Sequence, residues 1–299
     1  MDKLYILPFD HRGSFIKMFG MPEAGLTDTQ AGTLSDYKHI VYEGFLKSFS
    51  MGVSRTSAAI LVDEQFGKKI HEEARAAGIT RILTTEKSGQ DEFDFDYGDQ
   101  FGAHIDSLKP DYVKVLVRYN PASDAAMNAR QRERLKRISD FCHANGYKFL
   151  FELLAVATPA DLAACGGDKE KYEQTARYKI MLGAISELQA AGIEPDVWKI
   201  EGLNDLEQMR QVIAVVRSNG RNTVGVVVLG RGESEEKVRT WLSVAAKLDG
   251  VVGFAVGRTV FKQPLMDLHQ QKMSRAQAVD AIATNYKNFV DLFETASKK

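Results

Sequence analysis

Short apolar runs alternate with longer stretches in which apolar residues recur at helical spacing, from one end of the chain to the other. The short runs cover residues 4–9, 58–62, 81–85, 112–117, 148–153, 197–200, 223–228 and 251–256. The helical stretches include 37–49, 131–144, 171–191, 206–218, 237–247 and 276–295, each with an apolar stripe and a charged face. In 131–144, for example, Leu135, Ile138, Phe141 and Cys142 form a stripe among Arg and Lys. Strict strand–helix alternation predicts a parallel sheet covered by helices. Eight strands are the number that closes a barrel. The expected fold is therefore α/β, a (β/α)8 TIM barrel, in one domain over residues 1–299. An open doubly wound sheet is the competing layout. It calls for a G-x-G-x-x-G loop after the first strand, where this chain has Asp10-His11-Arg12-Gly13.

The Asp-rich stretch 86–98 reads as a long, solvated loop. The charges nearly cancel, with 39 basic and 40 acidic side chains and a formal net charge of −1. That balance gives no pull toward nucleic acid or a lipid surface, although a local basic cluster can still hold a small anion. Two cysteines, Cys142 and Cys165, with no CxxC pair, argue against a disulfide framework and a zinc ribbon. The first residues lack a signal-peptide pattern, and no apolar run reaches bilayer length. The expectation is a cytoplasmic protein that handles small metabolites, with room left for a homo-oligomer.

Barrel enzymes carry their reactive groups at the C-terminal ends of the strands. Those positions hold Asp10, Asp63, Glu64, Lys114, Glu152, Lys199 and Gly257-Arg258. Lys114 and Lys199 each interrupt an apolar run, and a buried ammonium needs a partner. A buried Lys–Glu pair that serves only stability is the bland explanation. Two strand lysines and an inward glutamate on strands four, five and six exceed what packing needs. A desolvated lysine near a second cation has a lowered pKa and attacks ketones as the free amine. Lys114 is the candidate second cation, and Glu152 can move protons as carbinolamine and imine form. The protonated imine is an electron sink that lets a nearby carbon–carbon bond break.

After strands seven and eight the chain reads Leu229-Gly230-Arg231-Gly232 and Val256-Gly257-Arg258-Thr259. Barrels commonly bind phosphate there through backbone N–H groups and a helix N-terminus, and arginine adds a two-pronged donor. One Gly-Arg pair is usually just a loop; two at this location favour a phosphate site.

These segments resemble a known family. The markers are 4–15 (Leu-Tyr-Ile-Leu-Pro-Phe-Asp-His-Arg-Gly-Ser-Phe), 113–120, 151–154, 198–201 and 252–259. Together they are similar to the aldolase-type domain fused to the inositol-catabolism kinase for 5-dehydro-2-deoxygluconate. More distantly they resemble class I tagatose-bisphosphate and sulfofructose-phosphate aldolases. The resemblance runs over most of the chain, and the kinase half has no counterpart in it. It implies a Schiff-base lysine at Lys199, an acid/base glutamate at Glu152, a supporting lysine at Lys114, an aspartate at Asp10 and a phosphate-binding arginine at Arg258. The implied substrate is 2-deoxy-5-keto-gluconate 6-phosphate, cleaved to dihydroxyacetone phosphate and malonate semialdehyde without cofactor or metal. Gly230 and Gly257 join Arg258 at the phosphate, and Arg12, Arg118 and Arg231 are the candidates for the substrate carboxylate. Where the distant aldolases carry Gln and a serine-bearing strand-seven loop, this chain has His11 and Leu229-Gly230-Arg231-Gly232. Those departures bear on which sugar is bound.

Three rival readings carry distinct marks. A metal-dependent aldolase needs histidines converging at strand ends, but only His11 lies there; His39, His71, His104, His143 and His269 mostly fall in helical stretches and read as solvated. His11 with Asp10, Asp63 and Glu64 is the one grouping that could hold a cation. A regulatory barrel that binds a sugar phosphate without turnover has no use for a nucleophilic lysine. An aldolase of the same mechanism acting on another ketose phosphate is the strongest competitor.

Overall fold

A computed structural model describes residues 2–298. Eight parallel strands, β1–β8, close in sequence order, with β8 returning to pair with β1. The chain runs β1 (Leu4–Pro8), α1 (Gly13–Met18), α2 (Asp28–Ser48), β2 (Ala58–Val62), α3 (Glu64–Ala76), β3 (Thr80–Thr84), α4 (Phe101–Leu108), β4 (Tyr112–Tyr119) and α5 (Ala125–Asn145). It continues with β5 (Lys148–Ala155), α6 (Pro159–Ala164), α7 (Lys169–Thr175), α8 (Arg177–Ala190), β6 (Val197–Glu201), α9 (Leu206–Val216), β7 (Gly225–Leu229), α10 (Glu235–Ala245), β8 (Val251–Ala255), α11 (Arg258–His269) and α12 (Arg275–Ala296). The expected (β/α)8 TIM barrel is the observed fold. Among the described residues no helix is long and apolar enough to cross a membrane.

Two apolar cores result from the two faces of the sheet. The larger lies between strands and helices, and the smaller fills the barrel with side chains such as Leu4, Ile6, Leu61, Ile82, Tyr112, Leu150, Val197 and Val227. Strand side chains alternate between these faces, so Lys114 follows Tyr112 on the inner face, Glu152 follows Leu150, and Lys199 follows Val197. The register sets Glu152 directly beside Lys199 on adjacent strands. The polar layer therefore rests directly on the apolar plug.

Three local expectations change. The helix foreseen at 171–191 is two helices, α7 and α8, broken at Ala176. The stretch 86–98 is not a plain solvated loop: Glu86 bridges Phe95, Phe93 and Phe95 are buried, and Phe95 stacks on Phe101 at 4.2 Å between ring centres. Its aromatics have apolar partners, and Gln131 accepts a hydrogen bond from the Phe93 N–H, so the segment is pinned to the barrel. His71 is buried rather than solvated, its Nε2 lying 3.1 Å from the Val62 carbonyl.

Candidate active site

A cavity of about 700 Å³ opens at the C-terminal ends of the strands. Its wall includes Asp10, His11, Arg12, Lys114, Arg118, Glu152, Lys199, Gly230, Arg231, Gly257 and Arg258, so the positions singled out from the sequence for catalysis and phosphate binding face the same space, Asp63 and Glu64 excepted. Glu152 sits at the centre of the charged floor. One of its oxygens, Oε1, is 2.7 Å from Lys199 Nζ, and the other, Oε2, is 3.0 Å from Lys114 Nζ. Glu152 thus lies between the two lysines, one oxygen toward each. Lys114, fully buried, also donates to Asp10 at 3.1 Å and to Glu86 at 2.6 Å.

The electrostatics follow from that packing. Burial opposes charge on Lys114, but Asp10, Glu152 and Glu86 outweigh it and hold the ammonium well above the usual lysine range. Burial likewise pushes Asp10 and Glu152 upward, and the adjacent lysines reverse the effect, so both carboxylates are held below their ordinary range. Glu86 goes the other way: burial outweighs its one lysine and pushes its carboxyl up. His11 is pushed down to about 4, first by burial and then by Arg258, Lys38 and Lys199, against the opposing pull of Asp10. The imidazole is therefore neutral near pH 7, and its Nδ1 is buried without a hydrogen-bond partner.

Glycines shape the far side of the cavity. Gly257 precedes α11, and a Cβ there would collide with the Pro8 carbonyl where the end of β8 closes on β1. Gly232 adopts a left-handed φ of 80°, and a Cβ there would strike the Arg258 guanidinium. No side chain caps the N-terminus of α11, whose first residue is Arg258. Arg258 donates to the Arg231 carbonyl at 3.0 Å and, among the described residues, makes no ion pair with a carboxylate.

The other arginines differ in how far they are already engaged. Arg12 binds Asp96 at 2.7 Å and the Glu86 carbonyl at 2.5 Å, strapping the segment after β1 to the segment after β3. Arg231 reaches Glu201 at 2.7 Å and Glu173 at 2.8 Å. Arg118 donates to the Gln90 carbonyl at 2.7 Å, and its nearest carboxylate, the exposed Asp91, is 3.9 Å away.

Asp63 and Glu64 take no part in the cavity. Asp63 accepts from the Phe66 N–H to cap α3 and pairs with the buried Lys38, while Glu64 lies 2.5 Å from His104. The grouping of His11, Asp10, Asp63 and Glu64 is therefore not assembled. Among the described residues no His, Cys, Asp or Glu cluster has the arrangement to hold a metal ion. Reading the sequence missed Glu86. The inward parity of Ile82 and Thr84 carries on to it past the strand end, but the acidic stretch that follows hid that signal.

Solved structures share the fold at low identity. The Cgl0159 protein of Corynebacterium glutamicum is 18% identical with a TM-score of 0.55, the match covering 96% of this chain and 86% of that one. A fructose-bisphosphate aldolase from Slackia heliotrinireducens is 12% identical with a TM-score of 0.56, covering 94% and 85%. The YdjI aldolase of Escherichia coli K12 is 14% identical with a TM-score of 0.52, covering 87% and 89%. None of the curated proteins matches the chain. A family profile matches residues 1–297, and by that match the chain belongs to the family described as an uncharacterized protein conserved in bacteria, DUF2090.

Proposed function

We propose that the chain is a class I aldolase that forms a Schiff base at Lys199 and cleaves a phosphorylated keto-sugar acid. The observation that carries this reading is the shared carboxylate: Glu152 touches Lys199 and Lys114 at once, on the floor of an open cavity. The aldolase names of two structures with the same fold are in keeping with it.

In the reaction Lys199 passes a proton to Glu152, 2.7 Å away, and adds to the substrate ketone. Two of the three ammonium protons leave with the ketone oxygen as water, and the positive charge passes to the imine. Glu152, ionised again, takes the proton of the β-hydroxyl. The bond between the α and β carbons breaks, the aldehyde departs, and the electrons are held as an enamine. Glu152 returns its proton to the enamine carbon, and hydrolysis frees the second product and Lys199. Lys114 stays charged throughout, oriented by Asp10, and steadies Glu152 in its ionised form.

Arg258, Gly230, Gly257 and the uncapped start of α11 hold the phosphate, with the neutral His11 beside them. Of the three arginines considered for the far carboxylate, Arg118 is our choice, because Arg12 and Arg231 are already neutralised by carboxylates within 2.8 Å. The substrate this favours is 2-deoxy-5-keto-gluconate 6-phosphate, giving malonate semialdehyde and dihydroxyacetone phosphate. Borohydride reduction with dihydroxyacetone phosphate is expected to leave a covalent adduct on Lys199, readable by mass spectrometry; an unmodified Lys199 overturns the proposal. A panel of ketose phosphates, assayed for release of dihydroxyacetone phosphate, then separates this substrate from its competitors.

A further inference from the structure

Five ionisable groups meet at the cavity floor: the carboxyls of Asp10, Glu86 and Glu152 and the amines of Lys114 and Lys199. Fully ionised, they leave one negative charge in surplus where Lys114 and Glu86 are both buried. A single proton removes the surplus, and geometry decides which acid takes it. Glu152 touches both lysines, and Asp10 touches Lys114 and feels Lys199. Glu86 touches Lys114 alone, through Oε1, while its Oε2 is buried with no hydrogen-bond partner. A bare anionic oxygen in that position is far more costly than a neutral hydroxyl.

We infer that Glu86 is a positioning residue held as a neutral acid, so that the cluster carries no net charge and accepts an anionic ligand above it. The groups facing it agree with this. Lys114 approaches from β4 with Glu152 of β5 behind it, and Asp10 and Arg12 approach from the segment after β1. Arg12 binds only the Glu86 carbonyl and spends its charge on Asp96. On the residue's own segment, Lys87 is paired with Asp94. Lys114 is thus the one cation on the carboxyl, and it is shared among three acids. Burial pushes the Glu86 carboxyl upward, in the same sense.

The protonation half of this inference is independent of the aldol reading; only its consequence for ligand binding rests on it. Infrared spectroscopy of the wild-type protein at neutral pH is expected to show the stretch of a protonated carboxyl that is lost in Glu86→Gln. Absence of that band, or its survival in Glu86→Gln, overturns the inference. Should Glu86→Gln fail to fold, Glu201→Gln serves, because Glu201 is the other glutamate, among the described residues, whose carboxyl burial leaves raised despite its cationic neighbours. A protonated band that remains in Glu201→Gln and shifts on labelling with [13C]glutamate then belongs to position 86.

The second readout is calorimetric binding of dihydroxyacetone phosphate across pH. Wild type is expected to weaken by up to about tenfold per pH unit above the Glu86 titration, as the surplus charge returns. Glu86→Gln is expected to show only the ligand's own phosphate titration. Parallel curves for the two proteins overturn the inference. Wild type that binds no dihydroxyacetone phosphate at any pH sinks the proposed function instead, while the infrared result still decides the state of Glu86.

Discussion

Two fully buried lysines lie within the same barrel and do opposite things. Lys38, on α2, donates to the carbonyls of Phe9 at 2.7 Å and His11 at 2.9 Å and pairs with Asp63. Its three N–H groups have three acceptors, Asp63 is also capping α3, and neither residue reaches the cavity. Lys114 meets three carboxyl groups at the cavity floor, more acids than one ammonium can neutralise. A satisfied and sealed ion pair clamps the chain; an oversupplied one that faces a cavity leaves charge and protons to exchange with a ligand. Burial of a lysine is therefore no mark of chemistry by itself. Access and the balance of partners separate the two cases.

The sharpest test of that contrast is Lys199→Met. Glu152 keeps Lys114 as its counter-ion, so the fold is expected to retain its stability, while turnover falls by about 10⁴-fold or more and reductive trapping disappears. Steady-state kinetics with a thermal melt checks both halves. Lys38→Met should do the reverse. It strands Asp63 as an unpaired buried charge and is expected to cost about 3–5 kcal/mol of stability, measured by denaturant unfolding. If Lys38→Met melts like wild type, the clamp assignment is wrong.

Acid sharpens the comparison through two histidines, one beside each cluster, His71 buried and His11 half-buried. His71, behind the clamp, and His11, at the cavity, are both pushed down from 6.5 to about 4, with burial the first cause for each. Between those two pH values the unfolded chain binds protons that the folded chain refuses, so stability is complete above about 6.5 and falls as pH drops toward about 4. Each histidine is expected to remove about 3 kcal/mol across that window. Replacing either one by Gln should flatten the pH dependence of unfolding by one proton's worth, measured as the slope of stability against pH. An unchanged slope means that the ring is not held neutral by the fold.

The barrel itself was legible because its signals are local. Alternating apolar runs marked all eight strands, and Lys114, Glu152 and Lys199 stood out as charges inside apolar runs. What stayed hidden depends on contacts between distant segments. No Gly or Pro marks the break at Ala176, between α7 and α8. The capping box of Thr27 and Gln30 starts α2 at Asp28, nine residues before the expected position 37, because the first turns of that helix are largely polar. Glu86 looks like a loop residue until Phe93 and Phe95 are seen to anchor the segment. The division among Arg12, Arg118 and Arg231 rests on partners between 27 and 84 positions away, which no local pattern reports.

The same rule of satisfied against available charge extends to those arginines, with the smallest expected effect. Arg12 is spent on Asp96 and the Glu86 carbonyl, and Arg118 has only a backbone carbonyl and a distant, solvated carboxylate. Arg118→Gln is expected to raise KM about tenfold for a substrate with a far carboxylate, the size of one exposed charge-assisted contact. Trapping of dihydroxyacetone phosphate, which lacks that carboxylate, should be unchanged. Arg12→Gln should instead loosen the strap between the segments after β1 and β3, and so weaken both ligands alike. A selective loss in Arg12→Gln together with a uniform loss in Arg118→Gln would reverse the assignment, and with it the claim that an arginine already holding a carboxylate is unavailable to the substrate.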